Sequence, residues 1–194
     1  MKNLLILATA ASALALGACG RSEAPNTTAA NTSAANEMET GNATAMGAET
    51  PAVTPGQAFA NSAAASDAFE IESSKMALAS SSSAAVKSFA QKMIDAHTDS
   101  TAKLKSTTAS LSPAITPVPA LNAEQQKLID GLKGKTGADF DRAYLAAQAT
   151  GHAETLELLK AYAASGDVPA LKTFASGLVP IVTAHLNMAK GIKA

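Results

Sequence analysis

A six-residue pattern occurs twice in this chain, as Ala85-Val86-Lys87-Ser88-Phe89-Ala90 and as Ala170-Leu171-Lys172-Thr173-Phe174-Ala175. Each copy follows an apolar-periodic segment closed by a break of small residues. After each copy the apolar stripe continues and carries one histidine, His97 or His185. A helical hairpin present twice makes a four-helix domain, and that architecture constrains every other reading of the chain.

Composition agrees with helices. Alanine, the best helix former, is abundant, whereas aromatic residues make up 4% and Trp is absent. The formal net charge is −1, with fifteen basic residues scattered among sixteen acidic ones. A nucleic-acid binder concentrates Lys and Arg on one face, so nucleic acid is excluded as a partner. One cysteine permits no internal disulfide.

The first helix is expected over residues 56–79, with Phe59, Phe69, Glu72 and Met76 on its stripe and Ile71 and Leu78 widening it. Ser80 to Ser83 end it and supply N-caps for a second helix over 84–110, whose stripe is Val86, Phe89, Ala90, Met93, Ile94, His97 and Leu104. Pro113, Pro117 and Pro119 keep residues 111–122 out of helix. The third helix opens at Ala123, is broken or kinked by Gly131, Gly134 and Gly137, and resumes over 138–164. Asp167 is the expected cap of the fourth, which carries Leu171, Phe174, Leu178, Ile181, Val182, His185, Met188 and Ile192 and is expected to kink at Pro180. Short loop, long crossover, short loop is the connectivity of a ferritin-like bundle. The fold class is therefore all-α, a ferritin-like four-helix bundle of two hairpins joined by a long Pro-containing crossover.

Residues 1–18 have the form of a secretion signal: a short basic start, then an apolar run from Leu4 to Leu16 too short to span a bilayer. Leu16-Gly17-Ala18-Cys19-Gly20 resembles the bacterial lipobox, in which the cysteine is acylated and the peptide is cut just before it. Several acyl chains on Cys19 would anchor the protein stably, making the membrane its first partner. By resemblance to Gram-negative lipoproteins, Gly20 after the cysteine implies sorting to the outer membrane, facing the periplasm. An ordinary signal peptide cut near Ala18 is the competing reading. Residues 19–55 are Ala, Asn, Thr, Ser, Gly and Glu with almost no large apolar side chain, which predicts a disordered tether. As a random coil it reaches roughly 30–35 Å. The helical domain is then 56–194.

Phe89-Ala90-Gln91-Lys92-Met93-Ile94-Asp95-Ala96-His97-Thr98 resembles the signature of a bacterial family catalogued as domain of unknown function 4142. Phe140-Asp141-Arg142-Ala143-Tyr144-Leu145, His152-Ala153-Glu154 and His185-Leu186 fit its later motifs in order, and Glu70-Ile71-Glu72 fit its first helix. Ala96 stands where the family often has Asp, and Gly151 just before His152 is a second departure. The resemblance covers about 58–190. It implies a ferritin-like fold in a secreted or lipid-anchored protein, with no established activity.

The three histidines fall on three different helices, each on an apolar stripe. With Glu72 they make one inward ligand-type residue per helix, and Glu72, His97, His152 and His185 are the candidate metal ligands. Imidazole with carboxylate suits Fe, Mn or Zn, and spacing does not choose among them. Against a di-iron centre, no histidine has Glu three residues before it: Ile94, Ala149 and Val182 occupy those positions. Histidines at different depths, hydrogen-bonded to neighbours such as Gln148, would serve packing alone. His152-Ala153-Glu154 is not a protease zinc motif, and no nucleotide loop or Gly-x-Ser-x-Gly elbow is present. Met76, Met93 and Met188 read as core, and Asp141, Arg142 and Lys160 as a solvated face.

The first reading is a non-enzymatic envelope lipoprotein presenting a helical bundle for interaction with an envelope partner or for envelope upkeep. The second is a metal-binding bundle. A redox enzyme comes third, disfavoured by the missing Glu-x-x-His.

Overall fold

The computed structural model describes residues 53–193, so the signal segment, Cys19 and the tether up to residue 52 lie outside the described residues. Five helices and no strand occur among the described residues: α1 (Pro55–Ser80), α2 (Ala84–Ala109), α3 (Ala123–Leu132), α4 (Gly137–Ser165) and α5 (Pro169–Gly191). The four long ones form the bundle, and α3 is a short helix inside the crossover.

Local chemistry sets the boundaries. Thr54 Oγ1 accepts from the Gln57 amide at the start of α1, followed by Pro55, whose missing N–H costs nothing there. Ser83 caps α2 through the Val86 amide, as the serine run predicts. Asn122 and Gln125 make a reciprocal capping box at α3. The break expected near the glycines falls at Gly134 and Gly137, whose φ angles of 74° and 56° are costly for a residue with a Cβ. Gly131 stays inside α3. Asp167 is not a cap. The residue at the start of α5 is Val168, and Asp167 instead accepts from the Tyr162 hydroxyl at 2.8 Å and from the Gly56 amide at 3.3 Å. It fastens the end of α4 to the start of α1. The α5 helix continues through Pro180, which is exposed, so the carbonyl it leaves unpaired lies on the solvent side.

That Asp167–Gly56 bond puts the C-terminus of α4 beside the N-terminus of α1. At the other end, Ser82 in the α1–α2 turn donates to Asp141 near the start of α4. Helix α1 therefore runs up, α2 down, α4 down and α5 up. Residues 110–122 and α3 must carry the chain the full length of the bundle, which is why the one long connection is here. Each long helix packs on two others, α1 on α2 and α4, α5 on α4 and α2.

The core is divided. One apolar block surrounds Phe59, Leu104, Leu159, Tyr162, Leu171 and Phe174 at the Asp167 end. A second surrounds Val86, Phe89, Met93, Phe140, Tyr144 and Ala189 at the Asp141 end, and a small third joins Phe69, Ile129 and Ala147. Between the first two lies a buried layer of Ser66, Asp67, Glu70, Ser73, Ser74, His97, Gln148, His152 and His185. Asp141 belongs to the interior as well: it is 2% exposed, contrary to the solvated face expected for it, because α4 begins against the α1–α2 turn.

Phe59 stacks on Tyr162 at a ring-centroid distance of 3.9 Å and meets Phe174 edge-on at 6.5 Å. Phe59→Ala is expected to lower unfolding free energy by about 3–5 kcal/mol, as for other buried Phe truncations. Chemical denaturation measures it, and a loss below about 1 kcal/mol would show that this block does not hold the bundle together.

Candidate metal centre

Helix α1 explains why the layer is polar. Counting from Phe59, its inward positions are Ala60, Ala63, Ser66, Asp67, Glu70, Ser73, Ser74 and Ala77, a helical-period stripe that turns from apolar to polar at mid-length. Glu72, the carboxylate expected to point inward, is exposed. Two residues along a helix is a rotation of about 200°, so Glu70 takes the inward position that Glu72 does not have. Glu70 is 1% exposed and Asp67 is 4% exposed.

The three histidines converge. His97 on α2, His152 on α4 and His185 on α5 are all buried, with ring centroids 5.5–5.9 Å apart. Each offers one ligand nitrogen, and these nitrogens lie within 4.8 Å of one another. For metal–nitrogen bonds of about 2.0–2.1 Å a tetrahedral site has nitrogens roughly 3.4 Å apart, so closing on an ion takes ring movements of about an ångström.

Hydrogen bonds orient two of the rings. His97 Nδ1–H donates to Asp67 Oδ1 at 2.8 Å, and Thr101 Oγ1 donates to the other oxygen at 3.0 Å. The ring's Nε2 is buried and has no partner in the protein. His152 Nδ1–H donates to the Gln148 carbonyl at 2.9 Å, with Glu70 Oε1 at 3.2 Å from the same nitrogen. A carbonyl only accepts, so this fixes the tautomer and leaves Nε2 bare, buried and again unpartnered. His185 makes no side-chain hydrogen bond, and its buried Nδ1 is unpartnered too. An imidazole whose far nitrogen is held by a carboxylate or carbonyl is the usual arrangement behind a metal ligand.

Gln148 donates from Nε2 to Ser73 Oγ, closing the layer on the α1 side. Gly151 makes the approach of α1 possible. A Cβ there would come within 2.8 Å of the Phe69 ring and 3.1 Å of Glu70 Oε1. The departure noted before His152 is thus the place where the Glu70 carboxylate lies against α4.

Protonation follows from burial. Desolvation pushes the Glu70 carboxyl up to about 7 despite the attraction of His97. It pushes His152 down to about 3, aided by the charge of His97, and His185 down to about 4. Burial also opposes charging of His97, but the Asp67 hydrogen bond and the Glu70 charge outweigh it and raise its pKa above 6.5. Two of the three imidazoles are therefore neutral near pH 7 and able to ligate.

The structure so described belongs to the class of four-helix bundles with one buried layer of imidazoles and carboxylates at mid-height. The model of the family described as Domain of unknown function (DUF4142) matches residues 41–192, and the chain belongs to that family. No curated protein and no solved structure matches it.

The pKa shifts set a pH dependence for the metal-free domain. His152 and His185 bind protons in the unfolded chain from 6.5 downward but not in the folded one, so their contribution is lost as pH falls below that value. Glu70 acts oppositely, favouring the folded state below 4.5 and losing that contribution as pH rises toward 7. Two groups outweigh one, so stability is expected to rise between about pH 4 and 6.5 and to fall above it as Glu70 and His97 release protons. Urea melts of chelator-treated protein across this range check it, and a stability that fell from pH 4 to 6.5 would contradict it.

Proposed function

We propose that this chain is an envelope lipoprotein whose bundle holds one divalent transition-metal ion through His97, His152 and His185. The observation that carries the metal reading is the convergence of three buried imidazoles, from three helices, each with a buried and unpartnered nitrogen. Leaving buried polar atoms unpaired costs about 1–3 kcal/mol each, and a metal ion would satisfy three at once. Asp67 and the Gln148 carbonyl, with Glu70 beside it, would serve as outer supports that keep the rings aimed and offset the cation's charge. Three imidazoles suit Zn or Fe above Mn, whose preference is for oxygen ligands. The exposed Glu72 has no place in this set.

Attachment to the outer membrane, facing the periplasm, would be through lipid on Cys19, and support for it is the lipobox-like stretch. Among the described residues no helix is long and apolar enough to cross a membrane. Interaction with an envelope protein remains the reading to pursue if the site takes no metal.

Mass spectrometry of purified full-length chain, grown with added Fe, Mn and Zn, is expected to find close to one metal per chain. His97→Ala should abolish it while helical content persists. A folded wild type with no metal, before and after incubation with each ion, would overturn this function. For the anchor, Cys19→Ser should move the protein from the membrane fraction to the soluble one. Retention of the variant in membranes would refute lipid attachment at Cys19.

A further inference from the structure

A cavity of about 30 Å³ opens beside His97 and His185. Its walls come from all four long helices, with Ala63, Ala96, Leu178 and Ile181 forming much of its apolar lining. Ile181, which is 46% exposed, belongs to the lining, whereas His152 does not. A water molecule needs roughly 10–15 Å³ of such volume, so the cavity has room for about two water-sized particles.

We infer that this cavity admits an uncharged diatomic molecule, of dioxygen or nitric oxide size, to an open coordination position on the metal. The inference rests on the three-histidine reading above and supplies its ligand class. Among the described residues no fourth His, Cys, Asp or Glu joins the three histidines at ligand distance. A transition ion held by three imidazoles takes at least one more ligand, and a small molecule from outside the protein can supply it. The cavity touches two of the three ligating rings, His97 and His185.

Size and polarity select what enters. Phosphate, carboxylate substrates and sugars exceed the volume. Small anions would shed water into an apolar passage and pass the carboxylate of Asp67, which also lines it. Asp67 offers them no donor, being a carboxylate that accepts from His97 and Thr101. Of the three hydroxyl residues that line it, Ser66, Ser100 and Thr155, the first and last are hydrogen-bonded to each other at 2.6 Å. An uncharged diatomic loses little hydration on entry and needs none of these groups.

The test uses full-length protein loaded anaerobically with ferrous iron, its iron content measured, and then exposed to nitric oxide. An iron–nitrosyl EPR signal accounting for most of the bound iron is expected. Ala96→Leu, which narrows the passage, should slow its formation several-fold at unchanged iron content, and Leu178→Ala should speed it. Circular dichroism and iron content show whether the larger side chain is tolerated, and the smaller one keeps the test open if it is not. Iron-loaded protein that forms no nitrosyl overturns the inference and leaves the metal reading intact. So do equal rates in all three proteins, which would place the route elsewhere. Refusal of iron by a chain that takes up zinc overturns it too, since zinc has no open shell to bind such a molecule. A chain that binds no metal overturns both readings, and the metal analysis tells that case apart.

Discussion

The hydrogen bond between Asp67 and His97 is the contact on which the middle of this bundle depends. It joins α1 to α2 at mid-height, buries a carboxylate that would otherwise be uncompensated, and takes up Nδ1, which leaves Nε2 as the ring's unpartnered nitrogen. Breaking a buried pair by removing one partner leaves the other group desolvated and alone, which is among the more damaging changes a core can suffer. Around this pair the layer grows outward: Thr101 completes Asp67, Glu70 approaches His152, and Gln148 reaches Ser73. The layer carries polarity through what would otherwise be one apolar core.

Such a layer works against stability. Six of its side-chain atoms, on Glu70, His97, Gln148, His152 and His185, are buried without a hydrogen-bond partner in the protein. The blocks above and below, built on Phe59, Tyr162 and Phe174 at one end and Phe89, Phe140 and Tyr144 at the other, hold the helices together despite it. Stability at the two ends and unmet polarity at the waist is the division expected when a site sets the composition of a core. The topology serves the same end. With α1 and α5 running one way and α2 and α4 the other, the midpoints of all four helices meet at one level, where the polar residues are.

Helix boundaries were legible because they depend on neighbouring residues. Ser83 before α2, the prolines at 113, 117 and 119, and the glycines before α4 act within a few residues of themselves, and each behaves as its type requires. The histidines were legible as inward-facing because apolar neighbours four residues away share their face. Helix α1 was misread for the complementary reason. Its apolar side chains Ile71, Met76 and Leu78 are only half-buried, and its buried mid-section, Phe69 apart, is rich in Ser, Asp and Glu. A rule that follows apolar residues rotates such a helix and exchanges Glu72 for Glu70. The regular recurrence of Ala60, Ala63, Ser66, Asp67, Glu70, Ser73, Ser74 and Ala77 was the available signal, since small residues at that spacing let a neighbouring helix come close.

The sequence by itself determined an all-helical bundle of two hairpins with one long crossover, and three histidines on three inward faces. Periodicity, capping and chain-breaking residues act locally, and local rules are written in order along the chain. Only the tertiary structure decided that the three rings meet at one depth. It also decided that Asp67 and Glu70 stand behind two of them, and that Asp167 joins helix ends 111 residues apart instead of capping its own. Those outcomes depend on the axial offset between helices, which the packing of Phe59 on Tyr162 and of Gly151 against Phe69 and Glu70 sets in space. No spacing within a single helix contains that offset.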